Sequence, residues 1–282
     1  MIKDSLGDRM KDNYENVERR YLTKRMPTLI RVDGKAFHSF TKGFDKPFDP
    51  VLIESMWDTA KYLCKNVMGC KLAYIQSDEI TLLLTDYDAL GTQSWFDKNV
   101  TKMVSVSASM ATMAFNKAFT ANVMAFELLL SGQSDEFEPL LLRQSDESDK
   151  KLLEKYRSRE GTAMFDSRVF NVPKEEVCNA FIWRQQDATR NAIQMLGQFV
   201  FSQKQLQNKN CNEIQEMLSQ ERNIDFNGLL TYLKRGACAV KEYYDKDGTQ
   251  RSRWVIDEDI PVFTQDRKYI EKYLAPDETE PQ

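Results

Sequence analysis

The sequence has no closely spaced cysteines. Its five, Cys64, Cys70, Cys178, Cys211 and Cys238, are an odd, scattered set, which argues against a disulfide framework or a zinc site and reads as reduced core thiols. It also has no apolar run near the ~18 to 20 residues that a spanning helix needs, and MIKDSLGDRMKDNYENVERR is charged where a signal peptide would be apolar. No membrane partner is expected, and the reading is cytoplasmic. Positive charge is not in excess: the formal charge of −4 excludes a generic polyanion binder, so any nucleic-acid contact must come from a local cluster of Lys and Arg. Repeats and low-complexity tracts are missing as well. Histidine occurs once, at His38, a residue type often found partly buried in a core. What is present is a 41% apolar fraction in 282 residues, enough for a buried core in one large domain or two ordinary ones.

Met10, Tyr14, Val17 and Tyr21 recur at three- and four-residue intervals, which predicts an amphipathic helix over the first twenty residues, leading into the fold. PTLIRV, Pro27 to Val32, reads as a short buried strand, and KGFDKPFD as a loop. Pro50 to Met68 has one apolar helical face, with Pro50 suited to the first turn. CKLAYIQ and ITLLLTD are β-like and separated only by Ser77-Asp78-Glu79, the spacing of a hairpin. A helix is predicted over Trp95 to Phe119, with small residues at Ser105, Ser107, Ala108, Ser109, Ala111 and Ala114 that allow close packing. Residues 131–161 read as a polar surface insertion, followed by a strand in AMFDSRVFNVP and a helix from Lys174 to about Leu206 with a possible break at Gly197. Asn212 to Gln220 and Phe226 to Lys234 are shorter helices, and ACAVKEYY and TQRSRWVID form a C-terminal hairpin.

This order predicts an α+β fold: a palm-like, ferredoxin-type antiparallel sheet covered by helices on one side. A core of residues 1–173 carries the insertion at about 131–161. Residues 174–282 form a helical segment and the hairpin, packed as one unit with it. Asp33-Gly34 alone most simply reads as a turn. In a ferredoxin-type sheet, however, the end of the first strand lies beside the Ser77-Asp78-Glu79 turn, so Asp33 and Asp78 converge. Two carboxylates held together call for a cation, and Mg²⁺ takes one or two carboxylates together with phosphates and water. Two such ions, bound by Asp33, Asp78 and the Gly34 carbonyl, would serve a two-metal transfer. GKAFH offers consecutive N–H groups for a triphosphate, with Lys35 and His38 to neutralise it and Lys46 and Lys102 as further candidates. Strand alternation makes Asp78 a safer ligand than Glu79.

RVDGKAFHSFTKGFDKPFD, QSDEITLLL, FDSRVFNVP and WRQQDATRN, in this order, resemble the tRNA-His guanylyltransferase family, especially its Thg1-like 3′ to 5′ RNA polymerase branch. The resemblance runs from about Tyr14 to Arg235. It implies a palm-like core that adds nucleotides to the 5′ end of tRNA, with GTP, ATP and other nucleoside triphosphates as substrates, and a homotetramer. It implies Mg²⁺ on Asp33, Asp78 and the Gly34 carbonyl with Glu79 beside them as a catalytic carboxylate. Asp33, Gly34, Lys35, Ala36, Phe37, His38, Ser77 and Asp78 match its nucleotide-binding segments. Trp183, Arg184, Asp187 and Asn191 also match, and with Arg190, Lys234 and Arg235 they are the candidate RNA contacts. Where the guanylyltransferase branch carries His-Ile-Asn-Asn, this chain has Thr189-Arg190-Asn191-Ala192, which favours templated repair of 5′-truncated tRNA over addition of a single G. A palm-type nucleotidyl cyclase and a catalytically silent RNA-binding module are the other readings. The hairpin lacks the paired glycines of a diguanylate cyclase, and the acidic residues that a silent module would have lost are all present.

Overall fold

The computed structural model describes residues 5–131 and 147–275. In chain order the helices are α1 (Ser5–Met10), α2 (Phe37–Phe40), α3 (Pro50–Asn66), α4 (Val100–Leu130), α5 (Glu147–Arg157), α6 (Lys174–Val200), α7 (Gln203–Leu206), α8 (Cys211–Arg222), α9 (Thr231–Arg235) and α10 (Lys268–Glu271). The strands are β1 (Thr28–Gly34), β2 (Cys70–Gln76), β3 (Glu79–Leu84), β4 (Phe165–Asn171), β5 (Ala237–Lys246) and β6 (Thr249–Asp257). All pair antiparallel in one sheet of order β4-β1-β3-β2-β5-β6. Its first four strands have the ferredoxin-type order, and the C-terminal hairpin adds β5 and β6 beside β2.

Alternation along the strands decides which face each side chain joins. Ile30, Val32, Ile75, Ile80, Leu82 and Leu84 pack with α3 and α4, among them Met56, Leu63, Phe115 and Phe119. Leu29, Leu72, Tyr74 and Leu83 point the other way, onto Val177, Cys178 and Phe181 of α6 and onto Phe263 and Ile270. Helices thus cover both faces, where the sequence reading placed them on one. The reason lies in the strands themselves: every residue of β3 is buried, and a strand apolar on both sides needs a layer on each.

Other departures are local. Asp33 and Gly34 lie inside β1 and pair with Glu79, Asp166 and Phe165, so they are not a turn. The N-terminal helix gives way to a π-helical turn over Lys11–Glu15, and Leu6, Met10, Tyr14, Val17 and Tyr21 are all exposed, so the predicted apolar face does not enter the core. The predicted Trp95–Phe119 helix begins only after Asn99, whose side chain caps Lys102 N–H, and runs on to Leu130. Phe96, Asp97 and Lys98 before it hold left-handed angles. Ser107, Ala111 and Ala114 of its small-residue stripe are buried, and Ser107 Oγ meets Ser167 Oγ of β4 at 2.7 Å, while Ser105 and Ser109 face outward. α6 passes unbroken through Gly197, where a Cβ would sit 2.8 Å from Ile214 of α8. The insertion's residues 132–146 lie outside the described residues, and its remainder includes α5. No helix among the described residues is long and apolar enough to cross a membrane.

The N-terminus of α3 is fixed by Asp49. Its carboxylate is buried and accepts from Leu52 N–H and Asp45 N–H at 2.9 Å each and from Tyr156 Oη–H at 2.6 Å. Burial pushes this carboxyl above its ordinary value, and the three donors oppose that rise. Tyr156 of α5 also packs edge-on against Phe44, Phe119 and Phe126. Tyr156→Phe keeps the ring and removes one donor to a buried anion, so urea unfolding at neutral pH is expected to show a loss of about 1–3 kcal/mol; equal stability would show that the hydroxyl holds nothing.

Candidate active site at the end of the sheet

Antiparallel pairing sets Asp33 directly across from Glu79, the first residue after the Ser77-Asp78 turn. Gly34 N–H donates to the Asp78 carbonyl at 3.0 Å, which locks that turn against the end of β1. Ser77 takes the turn with φ of +48°, a left-handed conformation that releases Asp78 from strand alternation. Asp33 and Asp78 are therefore neighbours. Burial pushes the Asp78 carboxyl up to about 6, and the negative charges of Asp33 and Glu79 add to that rise against hydrogen bonds from its own N–H and Ser77. Asp33 remains accessible, with Arg168 Nη1 3.4 Å from Oδ2.

Backbone shape follows from one glycine. A Cβ on Gly34 would lie 2.3 Å from the Phe37 ring, which packs within about 5.5 Å of Phe40, Phe115 and Phe165. With that ring anchored, Ala36 turns left-handed (φ 54°) and starts α2. Successive residues of opposite hand orient their N–H groups into one concavity suited to an anion. The cradle is narrower than the sequence reading, because Gly34 N–H goes to Asp78 and Lys35 N–H to the Met164 carbonyl at 2.8 Å. Among the described residues, the N–H groups of Ala36, Phe37 and His38 meet no acceptor.

Beside this cradle a cavity of about 350 Å³ opens between the α2–α3 loop, the Ser77-Asp78 turn, α6 and α9. Of the predicted residues, Phe37, His38, Lys46, Ser77, Asp78, Asn191 and Lys234 line it. His38 is exposed at its edge, not partly buried in a core. Lys102 does not belong there: it borders a separate groove with Lys24, Thr92 and Asp97. The apolar wall of Leu52, Ile53, Met195 and Tyr232 was not anticipated, nor were Asp45 and Asp49 at its rim. Asp49 before Pro50 is a helix-capping pattern that marks the site only once α3 is seen to border the cavity.

Three further predictions need correction. Glu79 is not aimed at the carboxylate pair: its Oε1 accepts from Arg184 Nε at 2.7 Å, and the side chain is buried with Gln76, Thr81 and Arg31 around it. Arg184 is equally buried and also donates to Asp187 at 2.8 Å, so it is a structural cation and no contact for an RNA phosphate. Asp187 holds both Arg184 and the exposed Arg190, and does not face open solvent as an RNA contact would. Arg235 accepts through its carbonyl from Tyr74 Oη–H at 2.7 Å. Trp183 of the WRQQD motif is exposed, with the guanidinium groups of Arg31 and Arg184 5.4 and 4.6 Å from its ring centre.

The donor set can be tested against a metal. Among the described residues no group of three or more His, Cys, Asp or Glu could hold an ion, so the site has two carboxylates and backbone oxygen to offer. That fits Mg²⁺, which keeps water and substrate phosphate as its other ligands. A carboxyl lifted to about 6 by burial, with the charge of Asp33 adding to the rise, is the electrostatic state that a divalent cation would relieve.

A ferredoxin-type sheet with an acidic pair at its end, one member of which, Asp78, lines a nucleoside-sized cavity, defines a nucleotidyltransferase of the palm class. The tRNAHis guanylyltransferase (Thg1) family profile matches residues 7–173, more than half of the chain, and the chain belongs to that family. It is similar to a bacterial tRNA(His) guanylyltransferase (Thg1)-like protein solved in complex with ATP: 43% identity, TM-score 0.78, covering 97% of this chain and 100% of the other. A second structure, of a bacterial protein of the same description in complex with GTP, matches at 42% identity and TM-score 0.74, covering 96% and 99%. A tRNA(His) guanylyltransferase of Debaryomyces hansenii is 26% identical over 80% of this chain and 77% of its own length. An uncharacterised protein of Acanthamoeba polyphaga mimivirus is 27% identical over 97% and 89%.

Two outcomes follow from the electrostatics. The folded Asp78 value lies above the ordinary 3.8, so its cost is absent below about pH 4, develops between the two values and is complete above about 6. In chelator-treated protein, Asp78→Asn is therefore expected to stabilise by about 1–3 kcal/mol at pH 7 and by nothing near pH 4, read from thermal melts. Conversely, Arg184→Met leaves the Glu79 carboxylate buried without its closest cation and should cost about 3–5 kcal/mol, read from denaturant unfolding at neutral pH.

Proposed function

We propose that this enzyme adds nucleotides to the 5′ end of tRNA in the 3′-to-5′ direction, as template-dependent repair of 5′-truncated tRNA. The observation that carries the reading is the convergence of Asp33 and Asp78 beside a cavity lined by Lys46, His38 and an apolar wall. The apolar wall suits a base, and the free N–H groups of Ala36, Phe37 and His38 suit its triphosphate, with exposed Lys46 supplying positive charge. The similar bacterial structures hold ATP and GTP, which supports both as substrates here. Thr189-Arg190-Asn191-Ala192 in place of the guanylyltransferase run supports repair over single-G addition.

Two Mg²⁺ would be held by the Asp33 and Asp78 carboxylates and the Gly34 carbonyl, and when bound they activate the attacking oxygen and stabilise the departing pyrophosphate. The protein's own groups position the reactants. Gly34 and Phe37 shape the backbone that grips the phosphates, and Ser77 holds Asp78 out of the strand. Transfer joins the 3′-oxygen of the incoming triphosphate to the 5′ α-phosphorus of an activated or triphosphorylated RNA end. The bond from that phosphorus to its leaving group breaks, releasing pyrophosphate from a triphosphorylated end or the nucleoside monophosphate from an end activated by ATP or GTP, and the hydroxyl proton is lost. The homotetramer belongs to the same reading and is supported by the exposed apolar residues between Leu6 and Tyr21, which a second copy would cover.

The test is to incubate the protein with Mg²⁺, labelled GTP and a tRNA lacking its first nucleotide. Templated growth at the 5′ end is expected. Asp33→Ala or Asp78→Ala should reduce it about 100-fold or more while leaving the melting curve cooperative. One G added regardless of the opposing base would indicate the guanylyltransferase, a cyclic product the cyclase, and retention without product the silent module.

A further inference from the structure

Asp33, unlike Asp78, does not line the cavity, and its side chain is partly exposed on the face of the sheet that carries Arg31. The cavity described above is roomy enough for one nucleoside, yet transfer brings two nucleotides to the same carboxylates. Alternation puts the Asp33 side chain on the α6 side with Arg31, so that side must admit the other reactant.

The β1–β4 register sets Arg31 directly across from Arg168, two residues along from the Asp33 and Asp166 pair and so on the same face. Like charges directly opposed on one face are unfavourable for folding. Neither is fully used by the fold. Arg31 Nε is buried without a hydrogen-bond partner, 3.9 Å from Glu79 Oε2. Arg168 is 48% exposed, with Nη1 2.9 Å from Asp166 and 3.4 Å from Asp33. Above Arg31 lies Trp183, 54% exposed, its ring steadied by Arg31 and by the buried Arg184. A fixed aromatic ring beside guanidinium groups is a stacking platform with a phosphate clamp.

We infer that this face takes the 5′-terminal nucleotide of the RNA acceptor, its base against Trp183 and its terminal phosphate on Arg168. The inference rests on the transfer reading above and extends it by naming where the acceptor end sits. Arg168 gives up only the longer of its two carboxylate contacts to meet a phosphate. Asp33 is thereby left free at the moment the two ends meet.

The experiment uses the full chain, short hairpin RNAs bearing either a 5′-triphosphate or a 5′-hydroxyl, and free GTP. Dissociation constants come from anisotropy for the RNAs and from calorimetry for GTP. Arg168→Gln is expected to weaken the triphosphate RNA about tenfold, leaving the hydroxyl RNA and GTP within about twofold, and Arg168→Lys to regain part of the loss. Trp183→Ala should weaken both RNAs about tenfold without changing GTP, and Trp183→Phe should retain most binding. The proposal is overturned if Arg168→Gln binds the triphosphate end as the parent does, or if it loses free GTP as well, which would make this a free-nucleotide site. Should the parent extend tRNA while the variants bind as it does, this inference alone falls. A parent that neither binds nor extends RNA would remove the transfer reading as well.

Discussion

One pairing register supports everything else in this molecule: Asp33 of β1 opposite Glu79 of β3, with Gly34 N–H closed onto the Asp78 carbonyl. It brings two acidic groups together at the end of a buried sheet, where they repel each other. The register holds because a slip by one residue would turn Ile30 and Val32 away from the α3–α4 core and put Arg31 and Asp33 into it. Apolar burial along both faces of β1 and β3 thus keeps the acidic pair in place, and the raised Asp78 carboxyl is the local sign of that constraint.

The charge at this end of the sheet is divided in an orderly way. Glu79, adjacent to Asp78 in sequence, turns into the protein and is neutralised by Arg184, which Asp187 in turn holds. Asp33 and Asp78 stay available to solvent and substrate. A single strand step separates the two roles: the side chain within the ladder becomes part of the packing between β3 and α6, and the one in the turn keeps its chemistry.

Precision in the cavity comes from parts that never touch a substrate. The Phe37 cluster fills the space that a side chain at Gly34 would need and forces the left-handed step at Ala36. Asp49, held by Tyr156 from α5, fixes the start of α3 and with it the loop carrying Asp45 and Lys46. Helix α6 serves both approaches, with Asn191 at the cavity and Trp183 on the outer face.

Strand and helix periodicity made the sheet's central elements, the major helices and the C-terminal hairpin legible from the chain alone, because those signals are local and each strand's apolar content reflects its own burial. The convergence of Asp33 and Asp78 was legible too, since a ferredoxin-type order makes β1 and β3 neighbours. The fate of Glu79, Arg184 and Lys102 was not. A charged residue looks the same in sequence whether it meets solvent, substrate or an opposite charge, and only the packing of α6 against the sheet and the capped start of α4 decided between them. For the same reason the Arg31 and Arg168 pair went unnoticed: they stand 137 positions apart in the chain, and antiparallel pairing alone sets them side by side.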